Sequence, residues 1–340
     1  MNVTIKDIAA VAGVSHSTVS RALNDSPQIS LATKNRIKKI ARSLNFEFNS
    51  GARSLKSSKT GNIAVVYDAH NDQFGSSLYI NQLFLELRHY LERMDMDPIL
   101  LEGYHPETGA SNIDRLLRQQ KVDGFLIVHD HISKRDYTSI QLAGIPIVQL
   151  HMLPQFFDEG KLDYFVPDHT QGGRLATEHL IKKGCKKILT VFPNDIDSGE
   201  YPNRTKGYKE ALFANNLDIN DDYFISIPCS YLAGYNLINQ IPDIIKEVDG
   251  IFFQADIQAF GFLNAAAVHG INVPKDIKVI GYDDAPVCES TFPKLTTIYQ
   301  PRKELAKYAS ERIIDLINKK DTDKTIQKII DTSIILREST

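Results

Sequence analysis

Ser15, His16, Ser17, Thr18 and Arg21 put three hydroxyls, an imidazole and a guanidinium within seven residues. Val19, Ala22 and Leu23 supply an apolar face at helical spacing on the other side. Short polar groups on a helix reach base edges, and a guanidinium forks onto a guanine edge or a phosphate. The pattern therefore suits the major groove of DNA. A second chemistry lies in the stretch from Asn49 to Gly61, where Asn49, Ala52, Arg53, Leu55 and Lys56 stand among serines and lysines. Its plain reading is a flexible linker. Leu55, however, is a lone leucine among cations, and an apolar wedge flanked by cations is what prying open a minor-groove base step needs. Catalytic chemistry has no comparable support. The chain contains no Gly-x-Gly-x-x-Gly, Gly-x4-Gly-Lys, Gly-x-Ser-x-Gly or His-Glu-x-x-His motif. His129-Asp130-His131 reads as a strand end lining a surface loop, not a metal site. Asp283-Asp284 are sequence neighbours at a strand end, so their side chains point apart. No enzyme activity, cofactor or metal is expected.

The groove-facing residues need a scaffold, and the flanking sequence supplies one. Thr4 and Asp7 have capping-box spacing, Ile5, Ile8, Ala9 and Ala12 share a helical face, and Gly13 ends the helix. Val14 plugs the turn, and Ser15 caps a second helix. Ser30 caps a third, in which Ile37, Ile40, Ala41 and Leu44 close a small core while Lys34, Arg36, Lys38, Lys39 and Arg42 stay outside. This is a helix-turn-helix. The first sixty residues hold ten Lys/Arg against three Asp/Glu, within a chain of 39 basic and 42 acidic residues. A basic head on an acidic body suits a protein whose head alone meets phosphate.

The chain of 340 residues is long enough for two or three domains. After Gly61, strand-like runs at 62–67, 97–101, 124–129 and 146–150 alternate with helical segments near 76–93, 110–119 and 134–143. A second series has strands at 187–192, 250–254 and 277–282, with helices near 170–183, 204–215, 231–241 and 257–269. A last amphipathic helix covers about 303–319. The fold class is α/β: two parallel, doubly wound sheets make a two-lobed body, with ligand chemistry expected outside the carboxyl ends of the strands. The helix at 78–91 is apolar almost all round, which predicts one face on the sheet and another on a second subunit through Leu78, Tyr79, Leu83 and Leu87. Cys185, Cys229 and Cys288 lie far apart and read as buried thiols in a reducing compartment. No apolar run has the length of a membrane span, and no signal core follows Met1, so a cytoplasmic protein is expected.

Thr4-x-x-Asp7, Ala12-Gly13-Val14-Ser15, Thr18-Val19-Ser20-Arg21 and Ala52-Arg53-Ser54-Leu55 resemble the lactose/galactose-repressor (LacI/GalR) family of bacterial transcription regulators. Asp168-His169-x-x-Gly172-Gly173, Arg204-x-x-Gly207-Tyr208 and Gly281-Tyr282-Asp283-Asp284 extend the resemblance through the body. It implies a DNA-binding head at 1–48, a hinge helix at 49–60 and an effector-binding, dimerising body at 61–340 like a periplasmic sugar-binding protein. The expected lobes are about 61–162 with 299–320, and about 163–298 with 321–340. The resemblance implies a homodimer on pseudo-palindromic operator DNA, Leu55 wedged into a central step, and a sugar-like effector held by Arg204, Asp256 and Asp283. Phe74, just after the first strand, offers an aromatic face, and His151 a polar group at a strand end. Ala255 stands where the family often has asparagine, and Gly51 where it often has a larger residue. The function expected is repression of sugar-utilisation genes. The alternatives are control by a phosphoprotein partner, or a sugar-processing enzyme carrying a DNA-binding head.

Overall fold

Local capping sets the head. In the computed structural model, which describes residues 3–23, 26–44, 46, 59–67, 77–129, 131–154, 156, 162–194, 199–320 and 323–340, helix α1 (Ile5–Ala12) begins at a reciprocal cap. Thr4 Oγ1 accepts from the Asp7 amide at 3.4 Å, and the Asp7 carboxylate accepts from the Thr4 amide at 2.7 Å. Gly13, at φ 64°, closes the helix in the left-handed region that favours glycine. Arg36 stays exposed, yet its Nη2 donates to the Ala12 carbonyl at 2.9 Å, so this cation also braces the turn. Ser15 Oγ accepts from the Thr18 amide at 3.1 Å at the start of α2 (His16–Leu23), and Ser30 does the same for α3 (Leu31–Ser43). Ile8, Ala12, Val19, Ala22, Ile37 and Ala41 form the buried centre. The chain divides into two compact units, Met1–Thr60 and Gly61–Thr340.

The second unit holds two six-stranded sheets. The first runs in the order β11-β5-β4-β3-β1-β2, with β1 (Asn62–Tyr67), β2 (Asp97–Glu102), β3 (Gly124–Ile127), β4 (Ile147–Leu150), β5 (Asp163–Pro167) and β11 (Gln327–Ile330) all parallel. Period-two alternation sends Ile63 and Val65 of β1 to one core and Ala64 and Val66 to the other. Helices α4 (Ser77–Glu92) and α12 (Arg302–Ile317) cover the first face, α5 (Asn112–Gln119) and α6 (Lys134–Leu142) the second. The other sheet runs β12-β10-β9-β8-β6-β7, from β6 (Ile188–Pro193), β7 (Phe224–Ile227), β8 (Gly250–Phe253), β9 (Lys278–Asp283), β10 (Thr296–Tyr299) and β12 (Ser333–Ile335); only β12 is antiparallel. Helices α7 (His169–Lys182) and α8 (Glu200–Ala214) pack on one face, α9 (Tyr231–Gln240) and α11 (Asp256–Val268) on the other; α10 (Pro242–Glu247) follows α9.

Two expectations are corrected. The lobes do not divide at 162/163 and 320/321, because β5 pairs with β4 and β11 pairs with β5, both in the first sheet. Asp163 holds that edge together: Oδ1 accepts from Arg312 Nε of α12 and from the Ile326 amide, each at 2.7 Å. The chain therefore changes lobes after Pro167, between Tyr299 and Arg302, and between Ile330 and Ser333. The second correction concerns the expected subunit interface. Tyr79, Leu83 and Leu87 are buried in their own lobe against β1, β3 and α12, and so are not available to a partner. Leu78 packs on Cys229, Ala255 and Ile257 of the opposite lobe. A sheet, a neighbouring helix and the other lobe take most of the apolar girth of this helix, while Leu85 stays exposed.

Helices α7 and α8 meet through glycines. A Cβ on Gly207 would overlap the Thr170 carbonyl oxygen and the Arg174 amide, and one on Gly173 would overlap the Arg204 carbonyl. This contact fixes where His169, Glu200 and Arg204 stand. Gly207→Ala should destabilise the body by roughly 1–3 kcal/mol, the usual cost of overpacking. Gly199→Ala, with no atom within 4 Å of the added carbon, should change little. Chemical denaturation of the two variants checks the contrast.

Candidate functional site

On the head, Val19 and Ala22 point α2 into the small core and leave Ser15, His16, Ser17 and Arg21 exposed, with Thr18 half-buried. Ser15 Oγ lies 2.8 Å from both Ser17 Oγ and Thr18 Oγ1, so three hydroxyls cluster at the start of the helix. That leaves a convex polar helix face ending in one guanidinium. The expected minor-groove residues Asn49, Ala52, Arg53, Leu55 and Lys56, and the aromatic Phe74, lie outside the described residues.

In the body, strand and helix ends converge between the lobes. His151 follows β4 at φ 72°, a left-handed conformation for a non-glycine residue, and its amide donates to the Phe165 carbonyl at 3.0 Å. Its ring lies 4.9 Å from that of Tyr79 and 5.9 Å from that of His169, which opens α7. Glu200 opens α8 and lies one helical turn before Arg204; Arg204 Nη2 donates to Glu200 Oε2 at 2.8 Å. Both are buried, Arg204 with only 1% of its surface exposed. The guanidinium also donates to the Gln254 carbonyl and lies over the Tyr282 ring, 3.7 Å from its centroid. Asp283, at the end of β9, places Oδ1 3.9 Å from Arg204 Nη2 and accepts from Gln300 Nε2 at 2.7 Å.

Asp283 and Asp284 both have positive φ, 119° and 51°. Each such conformation costs on the order of 1–3 kcal/mol. Asp284 turns away from the cleft, to Arg337 at 2.8 Å and Arg302 at 3.5 Å. The two neighbours thus serve different partners, as expected from their spacing. Burial pushes the Asp283 carboxyl well above the ordinary aspartate range, with Arg204 opposing the shift. Burial, then Arg204 and His151, push His169 well below the usual imidazole value, so that ring is neutral.

The structure therefore brings together His151, Arg204 and Asp283. It does not bring Asp256 into that cluster. Asp256 Oδ1 accepts from Thr297 Oγ1 at 2.6 Å, and Oδ2 accepts from the Ala285 amide at 2.8 Å and from Cys288 Sγ at 3.1 Å. Gly281 leaves the space it occupies. Burial raises its pKa to about 6. Asp256 is a brace for the segment that follows Asp283-Asp284, not a group facing a ligand. Glu200, His169, Gln254 and Gln300 are site residues that sequence reasoning missed. Glu200 had a signal, the i, i+4 spacing to Arg204 on one helix. A cavity of about 300 Å3 adjoins the cluster and is lined by His151, Asp168, His169, Thr170, Glu200 and Asn203, among others. Among the described residues, no helix is long and apolar enough to cross a membrane.

Residues 4–49 match the model for bacterial regulatory proteins of the lacI family, and residues 177–340 match that for a periplasmic binding protein-like domain. The chain is 29% identical over 342 residues to the HTH-type transcriptional regulator CelR of Thermobifida fusca, covering 99% of this chain and 98% of the relative. A structure of a transcriptional regulator CelR–cellobiose complex is similar at 27% identity with a TM-score of 0.72, over all of both chains. A LacI family transcriptional regulator from Enterococcus faecium with bound ribose is similar at 27% identity and a TM-score of 0.70, over 82% of this chain and 98% of that one.

The raised Asp283 pKa has a measurable sign. A carboxyl whose folded pKa exceeds its unfolded value stabilises the fold below the unfolded value, near pH 4, and loses that contribution as pH rises through the folded one. Asp283→Asn keeps an acceptor for Gln300 and removes the ionisation. The variant should be more stable than the parent at pH 7, with the difference shrinking towards pH 4. Denaturant titrations across that range check it.

Proposed function

Because this chain belongs to the lacI family of bacterial regulatory proteins, we propose that it is a repressor whose hold on operator DNA is set by a sugar bound between the lobes of its body. It is a DNA-binding transcriptional regulator and not an enzyme. The observation that carries the effector half is the buried guanidinium of Arg204, with acids on two sides and His151 reaching in from the other lobe. A guanidinium that donates and carboxylates that accept are what neighbouring hydroxyls require. The cellobiose and ribose bound in two similar regulators support the same ligand class. Arg204 and Asp283 grip the hydroxyls, His151 adds a contact from the first lobe, and Phe74 offers a face for the ring. Asp256 acts only by holding the Asp283 segment.

The head supplies the other half. Ser15, His16, Ser17, Thr18 and Arg21 enter the major groove, while Asn49, Ala52, Arg53, Leu55 and Lys56 engage the minor groove. Two chains related by a two-fold axis read a pseudo-palindrome with half-sites about one helical turn apart. The subunit contact uses surface other than Tyr79, Leu83 and Leu87. In sequence the body continues into the head through residues 49–60, so sugar affects DNA binding through that stretch. The sugar shifts operator affinity only by its affinity difference between the two states, about 1–3 kcal/mol. The protein works in the cytoplasm, where operator and sugar meet.

Two experiments test these assignments. Arg21→Ala should weaken operator binding by about 1–3 kcal/mol if its side chain reads a base. Binding to random DNA at the same salt should fall far less. Equal losses on both would place Arg21 on phosphate alone. For the body, mono- and disaccharides are screened for a raised melting temperature, and the best is titrated into Arg204→Met by calorimetry. The variant should lose the sugar while apo operator binding persists. Unchanged sugar affinity would remove Arg204 from the site.

A further inference from the structure

Asp284 follows Asp283 at the end of β9, and its carboxylate is divided between the two lobes. Oδ1 accepts from Arg337 Nη2 at 2.8 Å, and Oδ2 lies 3.5 Å from Arg302 Nη2. Arg337 follows β12 in the second lobe, where its Nη1 also donates to the Leu295 carbonyl at 3.0 Å and its Nε to Glu289 at 2.7 Å. Arg302 opens α12, which packs on the first sheet through Leu305, Ala306 and Ala309. A second bond crosses between the lobes beside the first: Arg302 Nη1 donates to the Asp283 carbonyl at 3.2 Å. The same guanidinium lies 4.8 Å from the centroid of the Tyr299 ring, at the end of β10. The three charged side chains are largely buried, so salt screens them less than a surface pair. Both interlobe bonds end on the turn that carries the Asp283 carboxyl. That turn holds two consecutive residues at positive φ, which persist only where the surrounding structure over-determines them. Asp284 does not line the cavity beside the cleft cluster, so any effect it has on a ligand passes through its neighbour.

We propose that Asp284 and Arg302 are positioning residues for the effector: the pair ties the Asp283 turn of the second lobe to the start of α12 in the first, and so sets how tightly the sugar is held. The inference rests on the effector reading above and names how that site is linked to the lobes. Arg337 anchors the Asp284 carboxylate within its own lobe and leaves one oxygen for the other lobe. When the lobes move apart, the Arg302 contacts stretch or carry the turn with them, and either changes where Asp283 stands against Arg204. A sugar gripped by Asp283 therefore favours the arrangement in which Arg302 is engaged. A ligand shifts such an equilibrium only by its difference in affinity between the two arrangements, and this pair is a contact on which that difference depends. Its removal loosens the turn while every ligand-facing group stays in the chain.

The test uses the full chain and the mono- or disaccharide that most raises the melting temperature of the parent. In calorimetry, Asp284→Asn and Arg302→Gln should each weaken that sugar about 10-fold, within the range by which residues off a ligand site modulate binding. The double substitution should weaken it no further than the larger single loss, because either change alone breaks the pair. Arg302→Lys keeps the charge and should recover part of the affinity. Melting temperatures of the apo variants are measured in parallel, since a merely stabilising ion pair would lower them and leave the sugar's affinity at the parental value. Asp243→Asn, on an exposed ion pair of the second lobe, should change neither. If Asp284→Asn fails to fold, the two Arg302 variants carry the comparison. A parent that binds no sugar would overturn the effector reading and this inference with it. A sugar lost by Arg204→Met but held at parental affinity by folded Asp284→Asn or Arg302→Gln would overturn this inference alone, as would single losses that simply add in the double substitution.

Discussion

A guanidinium almost wholly removed from water stays charged only if its surroundings replace the water, and the second lobe is arranged to do that for Arg204. Glu200 supplies a charge-assisted hydrogen bond, Gln254 a backbone carbonyl and Tyr282 the face of its ring. These groups come from α8, the end of β8 and β9, so satisfying one cation fixes the mutual positions of a helix and two strands. Removing one partner of such a pair strands a buried charge, at about 3–5 kcal/mol. Asp283 stands within reach as a further acid whose carboxyl burial pushes above the ordinary aspartate range, with Arg204 opposing the shift. A hydroxyl-bearing ligand that enters here meets a donor and acceptors already oriented.

The precision of that cluster rests on contacts that carry no charge. Helices α7 and α8 approach to backbone distance because Gly173 and Gly207 have no side chain in the way. Gly234 and Gly261 do the same for α9 and α11 on the opposite face. Asp256 gathers Thr297, the Ala285 amide and Cys288 around one carboxylate, and so anchors the turn in which Asp283 and Asp284 adopt positive φ. The strain in that turn is offset by Gln300, Arg302 and Arg337. Local strain held by surrounding bonds is characteristic of sites that bind or switch.

Much of this was legible in the sequence where the signal is local. The Thr4–Asp7 box, the Gly13 stop and the Ser15 and Ser30 caps act within one helical turn, and each appears where its spacing put it. The alternation of strands and helices likewise shows two sheets. What sequence did not reveal was non-local. The edge strand β11 belongs to the first lobe only through its pairing with β5, between residues some 160 positions apart. The apolar girth of α4 pointed to a partner subunit through Leu78, Tyr79, Leu83 and Leu87, but the first-lobe core and the opposite lobe take those side chains instead. Asp256 was placed with the ligand groups by the family resemblance, and a motif match cannot tell which way a carboxylate turns. Glu200 escaped notice although its spacing to Arg204 was readable.

The central claim is that Glu200 and Arg204 act as one buried unit on which the cleft depends. A double-mutant cycle measures this directly, comparing the unfolding free energies of the parent, Glu200→Gln, Arg204→Met and the doubly substituted chain. A coupled unit predicts that the double variant loses less stability than the sum of the single losses, by about 2–3 kcal/mol, since it leaves neither charge stranded. Losses that add to within about 0.5 kcal/mol would mean that the two residues act independently, and the account of the cleft would fail.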